Sequence, residues 1–415
     1  LAIMKDNNFV DTCSEDCYIF LKENPFYAES GGQVSDSGYL KNDKCKLEVT
    51  NVIKAPNGQH LLEVKVLEGT INKGDKILTH VSKEKRLAIM KNHSAAHLLQ
   101  KSLQELLGDA VHQAGSKVDE ESLRFDFTYQ GKLSDELILK VENLVNDKIQ
   151  RGYETNIEYM NIKEAKEKGA MALFGDKYGS TVRVVTLGPS IELCAGTHVS
   201  NTKDINKFAI AIVENKGADT YRIIGATDAN IPKVLEEEIK KYNDEMIKLL
   251  DKAKKIINAA KELDIELNFN FNINNDIPTS YRDIVINKNE LETLRESLKK
   301  LEKDFTTKKS EKSVSDLSSF LEIKEEINGI TTIITITNGY DIASLKQIAS
   351  ALSNQIGDNN FVLLANVNEN NSVNYIAKAT SNRINCGEIV KDLSVRSGGN
   401  GGGNKSFAQG GGTDA

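Results

Sequence analysis

The chain has 415 residues, enough for two or three domains with separate cores. Its 53 Lys and Arg against 60 Asp and Glu leave a formal net charge of −7, which argues against a surface coated for nucleic acid while permitting local basic patches. Five cysteines (Cys13, Cys17, Cys45, Cys194, Cys386) make no disulfide framework and no apolar run reaches a membrane span, so a cytoplasmic protein with no membrane partner is expected. The chain opens on Leu1 within a predicted strand and reads as a fragment of a longer protein.

Residues 1–80 are short alternating runs (Tyr18 to Leu21, Leu47 to Ile53, His60 to Val66) broken by Asn, Gly and Pro, the pattern of a small β-barrel or curled sheet. Between the first strands lies Glu29-Ser-Gly-Gly-Gln33, where Gly31 and Gly32 suit either a hairpin turn or close approach to something bound.

A helix follows from about Ser82 to Leu107, with Ser82 as N-cap, an apolar row at Leu87, Met90, Leu99, Leu103, Leu106 and Leu107, and Gly108 to stop it. His93 and His97 lie one turn apart on the same helix face, and Cys194-x-x-x-His198 can fold two more donors onto one point. A lone helical histidine is more often a packing or surface residue. Together the two halves offer four ligands for one zinc ion. Ser94 stands where a zincin peptidase carries its glutamate base, which argues against a peptidase.

The strand Ser122 to Thr128 alternates Leu123, Phe125 and Phe127 with Arg124 and Asp126, an ordinary cross-strand ion pair when read alone. A helix from Ser134 to Arg151 covers the sheet, and strands over Thr181–Leu187, near Phe208 to Val213 and near Tyr221 to Ile224 complete an α+β domain. From Leu235 to Leu263 apolar residues step by four and three, a heptad seam, and a shorter seam runs from Leu291 to Phe305. An Asn-rich break at Asn268 to Asn275 makes these an antiparallel helical hairpin, with Lys308 to Ser319 a polar linker. The last hundred residues return to α/β punctuation, with helices over Ile342 to Gln355 and Gly387 to Val395, before a glycine-rich run from Ser397. That run is no P-loop, because Asn404 separates its last glycine from Lys405, and on composition alone it reads equally as a flexible tail.

Five segments in register carry a resemblance: Pro25 to Gly38, Asn92 to Gln100, Gln113 to Ser116, Leu123 to Phe127 and Glu192 to His198. They resemble the editing domain of alanyl-tRNA synthetases and its freestanding relatives over residues 1–230, and the glycine-rich end resembles the C-terminal domain of the same family. The resemblance implies four parts: a β-barrel-like part (1–80), a zinc-binding α+β editing core (81–230), a coiled-coil hairpin (231–312) and a C-terminal α/β domain (313–415). It implies Zn2+ on His93, His97, Cys194 and His198, and a catalytic set of Gln33, Ser37, His93, His97 and Cys194. Gly31, Gly32, Gln33, Ser37, Arg124 and Asp126 would meet the substrate. Arg396, Gly398, Gly399, Gly401, Gly402, Gly403 and Lys405 would bind tRNA. The family usually has threonine where this chain has Ser37, and glycine where it has Ala195. The implied activity is deacylation of tRNA(Ala) mischarged with serine or glycine, within an alanine-tRNA ligase whose aminoacylation part lies outside these residues, and with possible dimerisation through the hairpin and C-terminal domain. The rivals are a freestanding trans-editing deacylase and a tRNA-binding scaffold whose zinc is purely structural.

Overall fold

The computed structural model describes residues 1–171, 179–274, 276–315 and 317–414, a mixed α+β structure with eight helices and five sheets among those residues. They form two compact units, Leu1–Glu245 with Ile273–Leu291, and Met246–Asn272 with Glu292–Ala415.

The first unit begins with a seven-stranded antiparallel sheet in the order Asn8–Val10, Ala2–Lys5, Cys17–Phe20, His60–Gly69, Cys45–Lys54, Gly38–Lys41, Leu78–Val81. The short first strand turns back on its neighbour through Asp6 and Asn7, both at positive φ, residue types that tolerate the left-handed region a tight hairpin demands. The two end strands are not paired with each other, so the sheet is open where a barrel was one of the two expectations. Within Cys45–Lys54 the buried positions run Leu47, Val49, then Val52. A bulge between Val49 and Asn51 shifts the alternation by one residue and keeps the apolar side chains on the core face.

Helix α1 (Lys83–Leu107) starts at Ser82 as expected, and Leu99 and Leu103 of the predicted row are buried, with Met90 and Leu107 partly buried against the same core, but the row is incomplete. Leu87 and Leu106 are exposed, whereas every residue from Asn92 to Gln100 is buried. The middle of α1 is enclosed on all sides, so polar His93, Ser94, His97 and Gln100 sit inside and a one-sided apolar stripe is not required. Helix α2 (Asp135–Arg151) is capped by the Ser134 hydroxyl, which accepts from Leu137 N, and by Gly152 in the left-handed conformation. A four-stranded antiparallel sheet (Gln113–Val118, Leu123–Thr128, Thr220–Thr227, Phe208–Gly217) shares a core with α1 and α2. A three-stranded sheet (Thr155–Asn161, Thr181–Leu187, Ser190–Leu193) and the short helix α3 (Ile162–Glu167) stand beside it. That core also takes Ile231, Leu235 and Ile239 from the start of α4 (Ile231–Glu262), and Tyr281 and Ile284 from the start of α5 (Tyr281–Ser315).

In the second unit Ala253 of α4 clusters with Leu298 and Leu301 of α5. Lys308 to Ser319 is not a linker: α5 runs through it to Ser315 and α6 (Leu317–Glu322) follows. Lysine and glutamate are good helix formers. Lys308 and Lys312 donate to the main-chain carbonyls of Glu266 and Leu263, and Leu317 and Phe320 enter the C-terminal core. That core lies under a six-stranded sheet (Glu325–Ile327, Ile330–Asn338, Asn360–Val367, Val373–Ala379, Phe407–Gly412, Asn400–Gly403). Helix α7 (Ile342–Gln355) connects its one parallel pair and covers one face, and α8 (Cys386–Arg396) packs on the other. The glycine run is no flexible tail, since it supplies two strands directly beneath α8. A Cβ on Gly401 would lie 2.5 Å from Ser394 Oγ and one on Gly410 2.2 Å from the same atom, so the helix can seat this low only over glycine.

Candidate metal centre and the cavity beside it

Helix α1 presents His93 and His97 on successive turns, and the chain leaving strand Ser190–Leu193 brings Cys194 and His198 to them. One donor atom from each of the four lies within 4.8 Å of the others. Cys194 Sγ is 3.5 Å from His93 Nε2 and 3.3 Å from His198 Nε2. A tetrahedral zinc with Zn–S about 2.3 Å and Zn–N about 2.0–2.1 Å separates sulfur from nitrogen by about 3.5 Å, so the donor set fits that ion.

The rings are held from behind. His93 Nδ1 is 2.7 Å from Gln33 Oε1, which also accepts from Thr197 N at 2.9 Å, while Gln33 Nε2 donates to Thr197 Oγ1. His198 Nδ1 is 3.1 Å from Ser94 Oγ, itself an acceptor for Val199 N. His97 Nδ1 lies 3.5 Å from Glu192 Oε1. An oxygen at the outer nitrogen fixes a ligating ring's tautomer and direction. Gly196 is obligatory, because a Cβ there would fall 2.0 Å from His93 Cε1, whereas the family departure at Ala195 falls on an exposed position.

Burial holds His93 and His198 well below the usual imidazole range and His97 down to about 3, so all three rings are neutral, as metal ligands must be. Burial pushes the Cys194 thiol up to about 12 against the pull of the Gly196 N–H. Such a thiol becomes a thiolate only when a cation takes the proton's place. Burial likewise raises Glu192 to about 7, opposed by the Ser190 hydroxyl that donates to it at 2.6 Å.

The centre forms part of the wall of a cavity of about 740 Å³, with Tyr27, Gly31, Gly32, Gln113, Ser116 and Arg183 around it. Gly31 and Gly32 both have positive φ and line the cavity. Gln33 does not: it is 1% exposed, behind His93 rather than facing the cavity. Ser37 is also off the wall; its carbonyl accepts from Ser82 N at the start of α1. Arg124 and Asp126 lie on a different surface, where Arg222 binds both Asp126 oxygens at 2.7 and 2.9 Å and Arg124 stands 3.6 Å away. In the second unit Arg396 pairs with Asp392, the Lys405 carbonyl accepts from Cys386 N, and Gly399, Gly401 and Gly403 are in backbone contact with the adjoining strand or α8. A Cβ on Gly398 would meet Thr413 Oγ1 at 2.9 Å, and Gly402 alone among the predicted tRNA-binding glycines has open space where its Cβ would lie.

Four contributors carried no role in the sequence. Arg183 is a single cation in an apolar strand, and its Nη1 donates to the carbonyls of Cys194 and Gly196 at 2.6 and 3.0 Å. Glu192 is two residues before Cys194, on the same side of the strand, a period that alternation makes legible. Ser94 follows a ligand directly. Tyr27 is held by its N–H to buried Asp36, which also pairs with Arg86 of α1.

Three family models match parts of the chain: tRNA synthetases class II (A) over residues 1–85, the second additional domain of threonyl and alanyl tRNA synthetases over 182–224, and the DHHA1 domain over 328–415. Each of the three covers less than a quarter of the chain. Among curated proteins it is 35% identical over 416 residues to alanine-tRNA ligase of Staphylococcus saprophyticus (99% of this chain, 44% of that one), and 37% identical over 401 residues to that of Staphylococcus aureus strain JH9 (96% and 42%). The chain is thus a homologue of alanine-tRNA ligases and spans less than half the length of these relatives. The C-Ala domain of Aquifex aeolicus alanyl-tRNA synthetase matches at TM-score 0.20 and 22% identity, covering 22% of this chain and 82% of that one, and no argument rests on it.

Proposed function

We propose that this chain hydrolyses the ester of tRNA(Ala) mischarged with serine or glycine, as the editing part of an alanine-tRNA ligase acting in the cytoplasm. The observation that carries this is the convergence of four His and Cys donors on the wall of a cavity, in a chain similar along nearly its whole length to alanine-tRNA ligases. An activation site built for alanine cannot exclude the smaller glycine and rejects serine only weakly, so a second, hydrolytic site is needed. Zinc bound by His93, His97, Cys194 and His198 would polarise or orient the ester. Gln33 and Ser94 hold the His93 and His198 rings in place, and the Glu192 carboxyl stands 3.5 Å from His97 Nδ1. The hydroxyl and amide groups of Ser30, Gln113, Ser116 and Thr181 on the cavity wall suit an aminoacyl group's ammonium and, for serine, its hydroxyl. In the same proposal α4 and α5 form a coiled-coil hairpin carrying the C-terminal unit to the tRNA body, with homodimerisation through either.

ATP-free release of serine from Ser-tRNA(Ala) by the purified chain tests this. A protein that binds the tRNA, holds zinc and releases no amino acid would instead be a scaffold with a structural metal, a reading favoured by the four protein donors that already complete a tetrahedron.

A further inference from the structure

Among the described residues Arg183 engages only one of its three guanidinium nitrogens. Among the described residues Nε and Nη2 meet no acceptor, no carboxylate pairs with the group, and neither nitrogen is sealed from solvent. Lys54 lines the same cavity, also without a carboxylate partner among the described residues. Glu192, the one acid on that wall among the described residues, is 1% exposed and engaged by Ser190. Two cations with no carboxylate partner among the described residues therefore face this cavity in a chain whose net charge is −7. The free fork of N–H groups on the Arg183 guanidinium matches two oxygens of a phosphate.

We propose that Arg183, assisted by Lys54, binds the phosphodiester group on the 5′ side of the terminal nucleoside of the RNA, an assignment that rests on the deacylation proposed above. Nε and Nη2 donate to the non-bridging oxygens while Nη1 stays on the Cys194 and Gly196 carbonyls. The same side chain thus ties the seating of the RNA backbone to the loop that carries a metal donor.

The test uses the full chain with two minimal substrates, the 3′-O-seryl esters of adenosine and of 5′-AMP. Hydrogen bonds to a charged group of this kind correspond to about tenfold or more. The 5′-phosphorylated ester should be favoured by that factor in kcat/KM, chiefly through KM. Arg183→Gln should bring the ratio close to one, Arg183→Lys should retain part of it, and Lys54→Gln should lower it less. Equilibrium titration supplies a readout independent of turnover: 5′-AMP should bind the wild type at least tenfold more tightly than adenosine, and Arg183→Gln should erase the difference. Zinc content of each variant reports whether the Cys194 loop has been lost instead. Equal use of both esters by the wild type overturns the assignment and leaves deacylation standing. If no ester and no charged tRNA is hydrolysed, deacylation fails, and the titration still decides whether the phosphate site exists. Inorganic phosphate binding as tightly as 5′-AMP would also overturn it, reducing the site to a general anion pocket.

Discussion

At the scale of single residues, the metal centre depends on groups that never touch the metal. Ser94→Ala removes the acceptor for both His198 Nδ1 and Val199 N, and loss of such an outer partner typically weakens a site about 10- to 100-fold. Chelator competition should therefore show weaker zinc retention in Ser94→Ala and near-complete loss in Cys194→Ala; full retention by the cysteine variant would mean the donor set is wrong. Ser37 is off the cavity wall, so Ser37→Ala should change seryl and glycyl deacylation by the same factor, and a selective loss with serine would return that hydroxyl to the pocket. The four donors were legible because spacing alone can bring His93 and His97 to one helix face. Gln33 was named for the wrong contact, since the sequence carries no sign of whether a polar residue faces a cavity or a ring behind it. Arg183 went unassigned because its role depends on the carbonyls of a segment that the sequence brings close only through strand pairing.

At the scale of elements, helices were easier to read than their environments. The heptad spacing placed α4 and α5, yet the buried middle of α1 defeats a one-face rule, and the polar stretch after Phe305 hid a helix because its lysines reach main-chain carbonyls rather than solvent. Glu142 of α2 is the joint between α2, the strand Phe208–Gly217 and α5: it accepts from Ile210 N at 2.7 Å and Tyr281 N at 3.0 Å. Burial nevertheless pushes its carboxyl from 4.5 up to about 7. The folded chain therefore binds this proton more tightly than the unfolded one, so the contribution is full below about pH 4.5 and is lost as pH rises through about 7. Glu142→Gln keeps an oxygen for the two N–H groups and has nothing to titrate. Its Tm should fall less than that of the wild type between pH 5 and pH 8, and parallel curves would remove Glu142 as the source. Under α8, Gly401→Ala would force a methyl against Ser394 Oγ and the Gly410 backbone, a strain of about 1–3 kcal/mol. A lower denaturant midpoint for the second unit is the expected result, and an unchanged one would mean that the helix can lift without cost.

At the scale of the whole chain, deacylation should proceed without ATP, and pyrophosphate exchange with alanine should be absent, because residues 1–85, which match the class II synthetase model, form the open sheet and the start of α1 rather than a separate activation domain. Exchange above background would reveal an activation site. Ending the chain at Asp228 removes Ile231, Leu235, Ile239, Tyr281 and Ile284 from the first unit's core, so that version should melt well below the full chain even if it retains zinc. An unchanged Tm would show that those side chains add little.

The separation of the two donor pairs along the chain governs when the site can exist at all. His97 and Cys194 are nearly a hundred residues apart, and a ribosome adding about 5 to 20 residues per second leaves the first histidine pair waiting roughly 5 to 20 s for its partners. During that interval α1 carries His93, Ser94 and His97 without the Cys194 and His198 that complete the centre. The four-donor centre can therefore close only once the segment from Glu192 to His198 has left the exit tunnel.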